Sequence, residues 1–268
     1  MPKFFVCADI HSYFHIFYDE LIKKGYDKDN PDHYIICCGD YFDRGPEPLA
    51  TYDFFMNSPR TILIKGNHED LMTKCLERRY WMYHDAANGT VATILAFGQR
   101  DPKDIDKFKE ACSVAEMKLK YFFDRMVNYF ETEKYIFVHG WIPCHEDSSN
   151  IFWNGDKEYY WNPNWREAHD WEWDNARWLN GMKMAKNRVI EPDKTIVCGH
   201  WHTSWGHCRY EHHGSEFEQD ADFSPYVAEG IIAIDACTAF SGKANILVIE
   251  DNFLEGGESW LNPQNWKF

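Results

Sequence analysis

The chain has 268 residues, enough for one large core, and its formal net charge of −15 argues against a general nucleic-acid or anionic-membrane binder, since those partners call for a basic face. Nine cysteines with no CxxC pair, several of them inside apolar runs, fit reduced thiols in a cytoplasmic protein. No apolar run approaches the roughly 18 residues of a membrane span, and "MPKFFVCADIH" meets an aspartate too early for a signal peptide.

In chain order, the first apolar run, "KFFVCA", reads as a strand buried on both faces. Phe14, Phe17, Leu21 and Ile22 then keep one helical face. "YIICC" is a second buried strand, followed by a helix that Pro46 opens and that Leu49 and Tyr52 continue. "TILI" is the third. Residues 70–133 carry no clear strand and read as a helical insertion that needs no core of its own. "YIFV" resumes the strands. Residues 141–178 hold seven of the twelve tryptophans, predicted as packing and cap residues, with a nucleobase-stacking platform as the alternative. "TIVC" is followed by "HCRYEHH", whose spacing matches no standard zinc site and predicts an exposed hairpin. "GSEFEQDADFSPY" reads as an acidic surface loop able to line a cleft and suit a basic substrate segment, before the closing strands "GIIAI" and "NILVI". The order is α/β, in a single domain over 1–268.

The strands end alike. The first runs into Asp9 and His11, the second into Asp40, the third into Asn67 and His68, the fourth into His139 and the fifth into His200 and His202. In an open α/β sheet ligands gather at the carboxyl ends of strands, so these side chains can converge although they are far apart in sequence. Residues at i and i+2 of an extended segment face the same way, which suits Asp9 with His11 and His200 with His202. Gly39, Gly66, Gly140 and Gly199 permit sharp turns there. One Asp or His after a strand is an ordinary turn or cap residue. Five together, with carboxylates, imidazoles, one amide and no thiolate, point to two divalent first-row metals.

The motifs "ADIH", "GDYFDRG", "GNHED", "VHG" and "GHWH", in that order, resemble the calcineurin-like metallophosphoesterases, most closely the phosphoprotein phosphatase branch and its bacterial relatives. "IAIDACTAFSGKANILVIED" is similar to the closing strand pair of that family. The resemblance implies a four-layer αββα sandwich and a phosphoesterase whose nucleophile is a hydroxide shared by two metals. Mn²⁺ is the expected metal, with Fe and Zn as alternatives. It further implies Asp9 and His11 on the first metal, Asp40 bridging, and Asn67, His139 and His200 on the second. His68 resembles the general acid, oriented by Asp43, and Arg44 the phosphate ligand. His202 matches a ligand of the wider superfamily only, and Arg177 in "WEWDNARW" resembles a second phosphate-binding arginine in an imperfect setting, with an ion pair as the alternative. The substrate implied is phosphorylated: a phosphomonoester on a protein, or a dinucleoside polyphosphate. A metal-binding module without catalysis is the remaining alternative.

Overall fold

A computed structural model describes residues 1–151, 157–255 and 257. Among these residues the strands are β1 (Lys3–Cys7), β2 (His33–Cys38), β3 (Thr61–Ile64), β4 (Phe130–Glu131), β5 (Tyr135–Phe137), β6 (His145–Ile151), β7 (Lys157–Tyr160), β8 (Thr195–Cys198), β9 (Tyr226–Ala228), β10 (Ile231–Ala233) and β11 (Leu247–Glu250). One sheet has the order β11-β1-β2-β3, a second β4-β5-β8-β10-β9, and β6 and β7 form a separate hairpin. The strands β1, β2 and β3 run parallel, as do β5, β8 and β10, while the edge strands β11, β4 and β9 are antiparallel.

Alternation of side chains along the central strands builds the layers. Phe5 and Cys7 of β1, with Ile35 and Cys37 of β2, face one apolar layer, whereas Phe4, Val6, Ile36 and Cys38 face another. From the second sheet Phe137 and Val197 join that inner layer, and Ile136, Ile196 and Cys198 face a third. Helices cover the outer faces, which gives the four layers αββα. The edge strand β11 departs from the expectation of two buried faces. Val248 and Glu250 are exposed on it, because an antiparallel edge covers one side only.

On the first sheet lie α1 (Phe14–Lys23), α2 (Pro48–Asn57) and α3 (Asn67–Arg78), then α4 (Tyr83–Asn88), α5 (Thr90–Phe97) and α6 (Phe108–Phe123) of the insertion. The helix expected from Pro46 starts at Pro48, where a proline in the first turn loses no hydrogen bond. Ile94, Leu95 and Phe97 of α5 and Ala115, Leu119 and Phe122 of α6 share one core with Phe17, Tyr41, Phe42 and Phe55. The insertion is therefore part of the first layer. Its expected boundary at 133 is corrected, because Phe130–Glu131 is already a strand of the second sheet. On that sheet lie α7 (Asp170–Ala176) and α8 (Gly181–Lys186), with α9 (Thr203–Gly206) after β8. Residues His207–Glu211 continue α9 as a π-helical turn in place of the expected hairpin.

Candidate metal centre

The strand ends do converge. Asp9, His11, Asp40, Asn67 and His139 are all at most 2% exposed, and the rings of His139 and His200 meet with centroids 5.0 Å apart. The backbone bends sharply at the functional residues themselves. Asp9, His11, Ser12, Asp40, Asp43, Arg44 and His200 all have φ between +48° and +70°, a region that L residues occupy at some strain and mostly at functional sites. Of the four glycines expected to turn here, Gly39 has a positive φ of +87°. Gly66 and Gly199 serve close approach: a Cβ on them would collide with the carboxylates of Asp40 and Asp9.

Asp40 is the hub. Its Oδ1 accepts the His68 backbone N–H at 3.1 Å and lies 3.5 Å from His139 Nε2, while Oδ2 lies 3.6 Å from His11 Nε2. The tautomers of both histidines follow from their other nitrogens. His11 Nδ1 donates to Phe42 O at 2.9 Å and His139 Nδ1 to Cys38 O at 2.8 Å, so each neutral ring turns an Nε2 lone pair toward a carboxylate oxygen. Burial pushes both rings below the ordinary histidine range and so keeps them neutral. Lone pair against anion is repulsive at that distance unless a cation lies between them. Asn67 Oδ1 repeats the pattern, 2.7 Å from His139 Nε2 and 3.0 Å from His200 Nδ1. The donor set of oxygens and imidazoles, with no thiolate, suits divalent first-row metals. Asp9–Asp40–His139 and His11–Asp40–His68 are two groups of buried side chains able to surround an ion.

Electrostatics agree with a site built for cations. Burial and the neighbouring Asp235 and Asp40 push Asp9 well above the usual carboxylate range. Burial would raise Asp40 too, but His139, His68, His11 and His200 hold it below that range. Burial pushes His200 down to about 3.

His68 stands beside this set. Its Nδ1 lies 2.8 Å from Asp43 Oδ2, and its Nε2 is 3.2 Å from Arg44 Nη2 and 3.9 Å from Asp40 Oδ2. Burial pulls its pKa down, yet Asp40 and the Asp43 hydrogen bond outweigh that and leave it above the ordinary value. Arg44 is exposed at the mouth.

Two predicted residues are turned elsewhere. His202 Nε2 sits 2.9 Å from Glu216 of the acidic loop, and the ring stacks on Trp201, so the ligand set above is assembled without it. The loop "GSEFEQDADFSPY" does reach the edge of the site in this way. Arg177 is 4% exposed, with Nε on Asp70 at 2.6 Å, Nη1 on Asn128 at 2.9 Å and Nη2 on Asp174. Its fork is occupied by an ion-pair network, the alternative reading of "WEWDNARW".

The structure adds residues that sequence reasoning passed over. Glu69 is completely buried, and its carboxylate accepts the backbone N–H groups of Asp40 (3.0 Å), Tyr41 (3.1 Å) and Gly66 (2.9 Å), which clamps two ligand loops together. Burial and Asp40 push its pKa up to about 8. A glutamate at the third position of a helix was its visible signal. Thr90 of the insertion donates to Asp43 Oδ2 at 2.7 Å, and Asp43 N donates to Thr93 Oγ1 at 3.2 Å, contacts with no local signature. Asp235 follows β10 beside Asp9, and burial raises it to about 6. "GIIAID" carries the same strand-then-acid pattern as the ligand motifs.

A sequence model of the calcineurin-like phosphoesterases matches residues 2–223, and the chain belongs to that family, whose members are metal-dependent phosphoester hydrolases. No curated protein matches the sequence. Similar solved structures include a candidate diadenosine tetraphosphatase (12% identity, 93% of this chain and 91% of that one, TM-score 0.49). Others are a protein serine/threonine phosphatase of Saccharomyces cerevisiae (16%, 87% and 67%, 0.42) and a metallophosphoesterase of Sphaerobacter thermophilus (12%, 97% and 98%, 0.45). No helix among the described residues is long and apolar enough to cross a membrane.

Proposed function

We propose that the chain hydrolyses phosphomonoesters with two divalent cations, in the manner of serine/threonine phosphatases. The observation that supports it is Asp40, whose two oxygens each face an imidazole lone pair at 3.5 and 3.6 Å. Asp9, His11 and Asp40 would hold one cation, and Asp40, Asn67, His139 and His200 the other. Mn²⁺ suits these donors, as do Fe and Zn. Two such cations, when bound, supply Lewis acidity and a water of near-neutral pKa.

The remaining steps belong to the chain. Arg44 offers its planar fork to the phosphate oxygens from the mouth of the site. His68 delivers a proton from Nε2 to the leaving oxygen, and Asp43, on Nδ1, holds the ring and supports its cationic form. A metal-binding module without catalysis would need the ligands but neither His68 nor Asp43, so their placement speaks for an enzyme. A dinucleoside polyphosphate is the second reading, favoured by exposed Trp178 against His200, with ring centroids 5.8 Å apart.

Exhaustive chelation should abolish hydrolysis of phosphoserine peptides, and Mn²⁺ should restore it together with about two metal ions per chain. Full turnover by protein shown to be metal-free would end this reading.

A further inference from the structure

The tryptophan-rich segment divides in two. Trp141, Trp165 and Trp173 are at most 3% exposed and pack in the third apolar layer, as core residues do. Trp161, Trp171 and Trp178 are 37%, 63% and 51% exposed, and Trp153 lies outside the described residues. Trp171, Asn175 and Trp178, at i, i+4 and i+7, share one side of α7 and the turn after it. Opposite stand His145, Glu146, Lys157 and Tyr159 of the β6–β7 hairpin, and the cleft between the two walls has a volume of about 500 Å³.

One wall of this cleft, Trp178, touches the metal centre. The Trp178 indole meets the His200 ring edge-on at 5.8 Å, so Trp178 is at once a wall of the cleft and a neighbour of a proposed ligand. Trp171, further out, has no ring neighbour among the described residues. We propose that the cleft takes the base of a nucleotide whose phosphate occupies the metal centre, an inference that rests on the reading of that centre as a phosphoesterase site.

Three features select a nucleobase. Exposed indoles are stacking surfaces for planar rings, and the volume falls within the usual range of small-molecule sites, where a single phenol ring would leave most of the space empty. The Asn175 amide has no hydrogen-bond partner among the described residues and offers a donor beside an acceptor, the pair that matches the edge of adenine. Acidic groups also outnumber basic ones in the walls. Glu146 is paired with Lys157 at 2.9 Å, and Glu172 holds the His169 N–H at 2.8 Å, so the lining suits exocyclic amino groups and repels a further phosphate.

The test uses Mn²⁺-loaded full-length protein and the variant Trp171→Ala, which touches no proposed ligand. Kinetics are measured with AMP, diadenosine tetraphosphate and glycerol 2-phosphate, and AMP binding by calorimetry. Loss of one stack should raise KM for both nucleotides and weaken AMP binding by about 10-fold or more, with glycerol 2-phosphate unchanged within about twofold. Trp171→Phe, which keeps a stacking ring, should recover most of the loss. Equal effects on all substrates, no effect on any, or a larger loss on a phosphotyrosyl peptide than on AMP would overturn the nucleobase assignment. Wild-type protein that cleaves glycerol 2-phosphate but neither binds nor cleaves nucleotides would also overturn it, with the phosphoesterase reading intact. AMP binding that depends on Trp171 in a protein inert toward every ester would support the cleft and remove the enzyme.

Discussion

His68 carries the sharpest expectation among single residues, because Asp43 and Arg44 engage its two ring nitrogens. Its Nδ1 is held by Asp43 at 2.8 Å while Nε2 faces the mouth, where Arg44 is 3.2 Å away. A phosphate that draws the Arg44 fork to itself frees Nε2 to carry a proton. His68→Ala should lower kcat by about 10²- to 10⁴-fold for alkyl esters at unchanged metal content, and by less for an aryl ester whose leaving group barely needs a proton. Equal losses on both would remove His68 from the acid role. The pH dependence follows from the direction of the shift. The acid acts when protonated and its pKa lies above the ordinary value of 6.5, so the rate on alkyl esters should fall as pH rises through that raised pKa. His68→Ala should lack this alkaline limb. The two histidines of "GHWH" divide as clearly. His200 Nδ1 faces Asn67 at 3.0 Å and His202 Nε2 faces Glu216 at 2.9 Å, so His200→Ala should bring bound metal toward one per chain and His202→Ala should leave it near two. Metal lost from His202→Ala would mean that the ring leaves Glu216 to complete the first site.

The insertion acts on chemistry through the junction between α4 and α5. Asn88 O accepts the Arg44 N–H at 3.2 Å, Gly89 has φ +89°, and a Cβ on Gly89 would collide with Arg44 N. Gly89→Ala therefore meets both a backbone penalty of about 1–2 kcal/mol and a displaced Arg44 loop. Rates should fall by about 10²-fold, the scale of an ångström's misplacement, and metal content is measured beside them because Asp40 lies on the same loop as Arg44. Wild-type rates in the Gly89→Ala variant would show that the insertion does not support the loop. This dependence also marks what the sequence could and could not display. Strand runs such as "YIICC" and "TIVC" were legible because each is apolar throughout and ends in a ligand type. The two-residue β4 was not, being too short to show a period, nor was the β6–β7 hairpin, whose "HEDSSNI" and "KEYY" are too polar to read as strands. Thr90 was invisible for another reason: its bond to Asp43 spans 47 residues. Arg177 and His202 had matching motifs, but which way a side chain turns is decided by Asp70, Asp174 and Glu216, and although "GNHED" and "WEWDNARW" contain the first two, no motif shows which partner they meet.

Across the molecule 43 acidic residues face 28 basic ones, and two divalent cations would leave the protein strongly negative. A phosphate ester approaching from bulk meets that net repulsion before it meets Arg44, since Arg177 is buried and neutralised by Asp70 and Asp174. The field extends about 30 Å at 0.01 M ionic strength and about 8 Å at 0.15 M. Screening should therefore help a polyanionic substrate. We expect kcat/KM for diadenosine tetraphosphate to rise several-fold over that range, as long-range repulsion is removed and short-range contacts to Arg44 persist. A lysine-rich phosphopeptide should show the reverse, because the net field attracts it and salt weakens the attraction. The decisive measurement is kcat/KM, which includes encounter, at fixed pH and saturating Mn²⁺ with an inert monovalent salt. A fall for both substrates would mean that the field at the mouth is positive despite the total charge, with Arg44 and the bound cations outweighing the acidic surface on the scale of the approach.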